Sequence, residues 1–258
     1  MPQRLSFQLY SARNFQPWDG IIAMLAKSGY TEVEGFGGAY GSPGAFYDEP
    51  EKFRELLDKH GLTMPSGHFF PIDMFEKEKK RVLHIAKTLG MRALYCPFIT
   101  PDQRPKTGAG WKKFGQRLGA AAEQYREEGF IFGWHNHDFE FMKLKDGSTP
   151  HERIFEGSEL LNWEVDVAWI ARAKQNPVKW LKAYGDRITS AHIKDIAPKG
   201  QNLDQDGWCD VGKGTVKWPE IFKVLREETN CLTYVMEHDN PKDVAAWAKA
   251  SINFCKKQ

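Results

Sequence analysis

Short runs of apolar and β-branched residues recur along the chain, separated by longer segments whose apolar residues repeat at helical spacing. In the clearest helical segment, 111–128, one stripe is formed by Trp111, Phe114, Leu118, Ala122 and Tyr125. The short runs predict strands, and the longer segments predict helices. The predicted strands cover 5–10, 31–36, 62–68, 93–98, 130–137, 163–167, 188–193 and 233–237, and the predicted helices cover 20–27, 50–60, 75–89, 111–128, 178–184, 218–228 and 243–254, with a weakly marked one near 151–161.

Four glycines stand between a predicted helix and the strand that follows it: Gly29, Gly61, Gly90 and Gly129. Glycine accepts the left-handed conformation that ends a helix, so these positions predict four helix-to-strand joints. Eight alternating strands and helices favour a parallel sheet that closes into a (β/α)₈ barrel, and we predict this α/β fold as one domain over residues 1–258. An open doubly wound sheet is the alternative, which the absence of a GxGxxG motif after the first strand disfavours.

Composition and charge narrow the function classes. The net charge is +2, with 36 basic and 34 acidic residues, so no overall field would attract a nucleic acid. There is no run of about 18 apolar residues and no signal-peptide pattern, so we expect a cytoplasmic protein that does not enter a membrane. The four cysteines form no CxxC pair and are predicted to be buried free thiols: Cys96, Cys209, Cys231 and Cys255.

Polar side chains gather at the predicted carboxyl ends of the strands, where barrel enzymes place their chemistry. Carboxylates and imidazoles from the last four strands would converge there, and a bound cation most simply relieves the repulsion between the carboxylates. Mixed oxygen and nitrogen ligands suit Mn²⁺, Mg²⁺, Co²⁺ or Zn²⁺. The long loop at 198–214, with four glycines, is predicted to border this site. The polar residues are Gln8, Tyr10, Glu34, His68, His135, Asn136, His137, Glu140, Asp166, His192, Lys194, Asp195, Glu237 and Asp239.

Six segments at these strand ends carry a family resemblance: FQLYSAR at 7–13, WHNHDFEF at 134–141, VDVAW at 165–169, AHIKD at 191–195, DVGKGT at 210–215 and VMEHDNP at 235–241. In this order they resemble the xylose isomerase-like barrel superfamily of sugar phosphate isomerases and epimerases, which also contains inosose dehydratases and endonuclease IV. The resemblance covers essentially the whole chain. The family usually binds its metal through a Glu, an Asp, a His and a Glu from strands five to eight. By position, the resemblance implies Asp166, His192 and Glu237 as ligands here, and manganese is the favoured metal.

Strand five departs from the family pattern. Where many members read Glu-Asn-His, this chain has His135, Asn136 and His137, which leaves no carboxylate at the usual position. The fourth ligand is then either Glu140 or His135, and on sequence alone Glu140 is preferred because a carboxylate is the harder ligand.

The resemblance implies an isomerase or epimerase that acts on a sugar or keto sugar through a metal-stabilised enediolate. Catalytic roles are expected for His135, His137, Lys194 and Glu237. The clustered histidines leave a metal-dependent lyase open, which would eliminate from a 3-keto-glycoside or dehydrate an inosose, and a non-catalytic sugar-binding barrel is a third alternative. Without a phosphate-binding cluster, the substrate is expected to be an unphosphorylated carbohydrate. Dimers or tetramers are frequent in the family, and the sequence leaves the homo-oligomeric state open. The predicted substrate contacts are Gln8, Tyr10, His68, Asn136, Trp169 and Trp208, with Phe36 and Phe69 as further aromatic residues near the mouth.

Overall fold

The computed structural model describes residues 4–38 and 45–258 and contains the predicted closed barrel. Each barrel strand pairs in parallel with its neighbours, in the order β1-β8-β7-β6-β5-β4-β3-β2. The fold prediction is therefore confirmed, and the doubly wound alternative is wrong. The strands are β1 (Arg4–Gln8), β2 (Glu32–Gly38), β3 (Thr63–Phe70), β4 (Ala93–Cys96), β5 (Ile131–His135), β6 (Asn162–Asp166), β7 (Ile188–Ile193) and β8 (Thr233–Met236).

Helices surround the barrel in the described residues. The four predicted glycine joints are confirmed, since Gly29, Gly61, Gly90 and Gly129 all have positive φ angles between 69° and 94°. The helices are α1 (Trp18–Ser28), α2 (Ala45–Asp48), α3 (Pro50–His60), α4 (Ile72–Lys77), α5 (Lys79–Leu89), α6 (Gly108–Glu127), α7 (Pro150–Glu156), α8 (Val167–Arg172), α9 (Pro177–Ala183), α10 (Trp218–Glu227) and α11 (Val244–Cys255).

Several elements differ from the sequence-based expectation; the predicted helix 75–89, for example, is divided between α4 and α5. The weakly marked helix near 151–161 is the short α7, whose N-cap residue Thr149 forms a capping box with Glu152. Residue Val167, predicted in a strand, instead begins α8, because the Asp166 side chain accepts a hydrogen bond from the backbone of Trp169 and starts a helix there. A strand therefore turns directly into a helix at one of the predicted metal ligands.

The strands bury different side chains on their two faces. Outward residues are apolar and pack on helices: the Phe7 ring lies 5.4 Å from Trp247 of α11, and Trp134 lies 5.4 Å from Phe114 of α6. The alternate residues point into the barrel, and on several strands they are polar. Buried polar or charged groups of this kind are Gln8, Glu34, Ser66, His68, His135, Glu164, Asp166 and His192.

All four cysteines are in the thiol form, and no disulfide joins any of them. Three are buried as predicted, whereas Cys209 is half-buried. Burial raises the pKa of each thiol to about 12. Across residues 4–38 and 45–258, every helix is too short or too polar to cross a bilayer.

One buried histidine gives the fold a predictable acid sensitivity. His151, on α7, is fully buried between Trp163, Phe155 and other aromatic rings, and neither ring nitrogen has a hydrogen-bond partner among the described residues. Burial, with Arg187 nearby, lowers its pKa from 6.5 to about 3. Below pH 6.5 the unfolded chain therefore takes up a proton on His151 that the folded protein excludes until about pH 3. As the pH is lowered through this range, the free energy of unfolding decreases.

We expect His151→Phe to remove this acid-sensitive component. In the native protein, His151 accounts for a loss of about 2 kcal/mol in the free energy of unfolding when the pH is lowered from 7 to 5. The variant should lack this part of the loss. Urea unfolding at both pH values measures the difference. An unchanged pH dependence in the folded variant would show that His151 is not held neutral.

Candidate metal centre and active-site cavity

Four predicted or alternative ligands meet at the carboxyl ends of the last four barrel strands. His135 ends β5, Asp166 ends β6, His192 lies near the end of β7, and Glu237 follows β8. One side-chain donor atom from each lies within 4.8 Å of the others, and all four residues are buried. Strand pairing brings them together, since Asp166 is the register partner of His192. The group offers two imidazole nitrogens and two carboxylates.

The residues fit a divalent cation. The Oδ2 atom of Asp166 is buried and has no hydrogen-bond partner among the described residues. Burial raises the pKa of Asp166 to about 7, although Lys194 and His192 oppose that rise. A buried carboxylate oxygen without a donor is costly unless a cation or proton neutralises it. A site of two imidazoles and two carboxylates suits Mn²⁺, Co²⁺ or Zn²⁺.

Glu140 lies apart from these ligands. Its two carboxylate oxygens accept hydrogen bonds from Trp134 Nε1 at 3.1 Å and from the His137 backbone N–H at 3.0 Å. Because Trp134 faces the helices, Glu140 sits behind the barrel wall, where burial raises its pKa to about 8. Of the two alternatives for the fourth ligand, the structure brings His135 to the other three and does not bring Glu140.

Lys194 is a buried cation among carboxylates. Its Nζ lies 2.6 Å from Asp239, 3.2 Å from Glu237 and 4.0 Å from Asp166. Burial alone would lower the pKa of Lys194, but the neighbouring carboxylates raise it above its usual value. The lysine thus compensates part of the negative charge at this end of the barrel and is held away from the cavity surface.

A second polar layer lies one step deeper in the barrel and includes Glu164, which the sequence analysis did not single out. Three imidazole nitrogens surround its Oε2 atom: His68 Nε2 at 2.5 Å, His135 Nδ1 at 3.2 Å and His192 Nε2 at 3.3 Å. The other carboxylate of this layer is Glu34, whose Oε1 lies 2.9 Å from His192 Nε2. Glu164 lies two residues before Asp166, so strand periodicity alone places both on the inner face.

Burial alone would lower the pKa of His68, but Glu164 and Glu34 beside it raise that pKa to about 9. In contrast, the pKa values of both carboxylates are lowered despite burial by the neighbouring histidines, to about 2 for Glu164. The deeper layer is therefore a set of ion pairs between histidines and the carboxylates of Glu34 and Glu164.

A cavity of about 350 Å³ opens above the ligands. His137 forms part of its wall, with Phe98 and Trp169 at ring distances of 5.1 Å and 5.3 Å. The Nδ1 atom of His137 is buried and has no hydrogen-bond partner among the described residues. Burial, with Lys194 nearby, lowers the pKa of His137 to about 3, so the ring is neutral. The cavity is lined by Tyr10, Phe36, His68, Pro97, Phe98, His135, His137, Trp169, Glu237 and Asp239.

Three of the six predicted substrate contacts line this cavity: Tyr10, His68 and Trp169. The other three are buried behind it. Gln8 donates to Glu34, the Asn136 side chain accepts from the backbone of Asp166, and the Trp208 ring packs against Lys194 and Arg172. Phe69, also named from sequence, stacks on Tyr47 and is buried. Asp239, which the sequence analysis named only as a polar residue at a strand end, lines the cavity.

Comparison with known proteins assigns the family. The sequence profile of the xylose isomerase-like TIM barrel matches residues 22–258. The chain belongs to the xylose isomerase-like TIM barrel family. No curated protein sequence matches it.

Several solved structures have the same fold, and three of them are named for a sugar-converting activity or for a bound metal. A sugar phosphate isomerase/epimerase from Parabacteroides distasonis ATCC 8503 is 23% identical, with a TM-score of 0.81 over 98% of this chain and 93% of that one. The IolI protein, solved with a bound zinc atom, is 16% identical, with a TM-score of 0.75 over 98% and 95%. The 3-keto-D-glucoside 4-epimerase YcjR from E. coli is 14% identical, with a TM-score of 0.68 over 100% of both chains. At these identities the likeness establishes the shared barrel.

In this xylose isomerase-like barrel the glycine-rich loop beside the cavity is anchored by Asp195. A short antiparallel hairpin, Asp195–Ile196 with Trp208–Cys209, begins the loop. A Cβ at Gly214 would come within 2.2 Å of Asp195 Oδ1, which explains the glycine of the DVGKGT segment. The Asp195 carboxylate accepts from the backbone N–H groups of Ile196, Gly212, Gly214 and Val216 and from Trp218 Nε1, at 2.9 to 3.2 Å.

We expect Asp195→Asn to loosen this loop. The amide NH₂ would face backbone donors that the carboxylate oxygen now accepts, at a cost of about 2 to 4 kcal/mol of stability. Limited proteolysis should cut the variant within 198–217 faster than the native chain, and thermal unfolding should begin earlier. Equal cleavage rates and equal stability would show that the five hydrogen bonds do not hold the loop.

Proposed function

We propose that this chain is a divalent-metal-dependent isomerase or epimerase acting on an unphosphorylated sugar or keto sugar through an enediolate. The observation that carries the proposal is the position of the four-ligand group, His135, Asp166, His192 and Glu237, directly beneath a cavity that is also lined by the neutral imidazole of His137. A purely sugar-binding barrel has no need for that combination. The names of the structural neighbours, which include a sugar phosphate isomerase/epimerase and a 3-keto-D-glucoside 4-epimerase, support the same class of reaction.

The metal would be held by His135, Asp166, His192 and Glu237, and when bound it would polarise a substrate carbonyl and stabilise the negative charge that develops on its oxygen. Manganese is our first choice, and zinc is the next ion to test because IolI binds it.

His137 is proposed as the base that removes the proton beside the carbonyl. It lines the cavity, is neutral, and has an Nδ1 atom without a partner among the described residues. A neutral imidazole in the cavity wall can accept a proton from a bound substrate. Tyr10, Phe36 and Trp169 would pack on the apolar faces of the sugar ring and exclude water.

Lys194 and Glu237 contribute through charge in this scheme. Lys194 holds Asp239 and Glu237 in place by ion pairs and does not line the cavity, so its role is positioning. Glu237 serves as a ligand, and its cavity-facing neighbour Asp239 is the carboxylate available to a substrate hydroxyl.

A lyase is the second candidate, because the cavity wall from β5 carries imidazoles where a two-carboxylate epimerase would carry a Glu. Both carboxylates that line the cavity, Glu237 and Asp239, follow β8. An imidazole can take the α-proton and return it to a leaving oxygen, which completes an elimination from a 3-keto-glycoside or an inosose.

Solvent exchange tests both candidates. Metal-loaded protein is incubated in D₂O with keto sugars, 3-keto-glycosides and inososes, and NMR follows the hydrogen beside the carbonyl. Deuterium in an isomeric product would support isomerisation or epimerisation, and an unsaturated product or a released aglycone would support the lyase. No exchange across the panel would contradict enolisation altogether. His137→Ala should abolish exchange while leaving the metal bound.

A further inference from the structure

We propose that Glu164 and Glu34, beneath the candidate metal centre, are positioning residues that hold the two ligand histidines in opposite tautomers. His135 would bind the metal through Nε2 and His192 through Nδ1. The inference rests on the metal site of the proposed function and extends it to two residues with no assigned role.

The hydrogen bonds select the nitrogen that each imidazole leaves free. A neutral imidazole carries one N–H, and the nitrogen that donates it to a carboxylate cannot bind a metal. His135 Nδ1 lies 3.2 Å from Glu164, so its Nε2 is the atom left for the metal. Both ring nitrogens of His192 lie beside carboxylates, Nε2 at 2.9 Å from Glu34 and 3.3 Å from Glu164, and Nδ1 at 3.0 Å from Glu237. Because Glu237 is itself a proposed ligand, a cation bound to it would take His192 Nδ1, and Nε2 would keep its N–H toward Glu34.

The two carboxylates are themselves fixed. Gln8 donates to Glu34 Oε1 at 2.8 Å, and Ser66 donates to Glu34 Oε2 at 2.5 Å. Glu164 is clamped by His68 Nε2 at 2.5 Å. All of these side chains are buried on the inner face of β1, β2, β3 and β6, so they are carried by rigid strands.

The same residues also form a competing group for the metal. Donor atoms of His68, His135, Glu164 and His192 lie within 4.8 Å of one another. A cation there would break three hydrogen bonds that already satisfy these nitrogens, and it would add positive charge where His68 already balances a carboxylate. It would also require the reverse tautomers, with His135 bound through Nδ1 and His192 through Nε2. The tautomers therefore distinguish the two sites.

Long-range ¹H–¹⁵N NMR of zinc-loaded wild-type protein tests the proposal without any substitution. We expect one ring protonated at Nδ1, assigned to His135, and one protonated at Nε2, assigned to His192. The reverse pattern, or the same tautomer for both, would overturn the proposal. A wild-type protein that binds neither Zn²⁺ nor Mn²⁺ would instead refute the metal site, which keeps the two failures distinct.

Glu164→Gln and Glu34→Gln test the positioning role. Loss of an outer-shell carboxylate costs about 10- to 100-fold in metal affinity, so each variant should bind Zn²⁺ more weakly by about that factor in a chelator competition. In Co²⁺-loaded protein, the exchangeable ring N–H resonance of the affected histidine should exchange with water faster, and the visible absorption should shift. Glu140→Gln is the control, because it changes an equally buried carboxyl group that contacts Trp134 and the His137 backbone but no ligand imidazole. Wild-type affinity and spectra in both folded variants, or an equal loss in the control, would contradict the proposal.

Discussion

Glu237→Gln should lower metal affinity by at least about 100-fold and reduce activity in parallel. The substitution keeps the side-chain shape but removes the charge that faces His192 Nδ1 at 3.0 Å and Lys194 Nζ at 3.2 Å. Removing an outer-shell partner already costs about 10- to 100-fold, so loss of a direct ligand should exceed that range. Elemental analysis after dialysis against a chelator, with a calorimetric Kd, measures the effect.

Glu123→Gln provides the matched control for this prediction, because Glu123 is exposed on α6 and distant from the ligand group in the fold. It should keep native metal content. A Glu237→Gln protein that retains full metal and full activity would remove Glu237 from the ligand set.

His135→Ala and Glu140→Ala should separate the two alternatives for the fourth ligand, and this is the second large effect. Because the structure brings His135 to Asp166, His192 and Glu237, its loss should lower metal affinity by at least about 100-fold. Glu140→Ala should retain the metal but destabilise the fold by about 2 to 4 kcal/mol, since Trp134 Nε1 and the His137 N–H would lose their acceptor.

Chelator competition and urea unfolding of both variants measure these two effects. The sequence-based preference assigned the metal to Glu140 and turnover to His135. That preference stays a testable alternative, and it would be supported if Glu140→Ala lost the metal while His135→Ala kept it.

The barrel was predictable because its signals are local. The glycines that end helices, such as Gly61 and Gly90, need the left-handed conformation whatever the rest of the chain does. Strand ends were harder to place. Asp166 both ends β6 and caps α8, and that dual role depends on a side-chain hydrogen bond which apolar periodicity does not report.

The direction of site residues was predictable, whereas their depth was not. Strand alternation points Gln8, Glu164 and Asp166 into the barrel, but only the three-dimensional structure shows that the first two lie in a deeper layer. Trp208 was expected at the substrate, yet the hairpin folds it against Lys194. Glu140 lies only five residues after the end of β5, so the sequence does not show on which side of the barrel wall its side chain lies. In the structure it points outward, to Trp134.

The position of the metal itself tests the account most directly. Crystals of protein loaded with Mn²⁺, and separately with Zn²⁺, would locate the ion by anomalous scattering. We expect one ion about 2.0 to 2.3 Å from His135 Nε2, His192 Nδ1 and oxygens of Asp166 and Glu237. An ion bound by Glu140, an ion among His68, His135 Nδ1 and Glu164, or saturating metal without an ordered ion would contradict it.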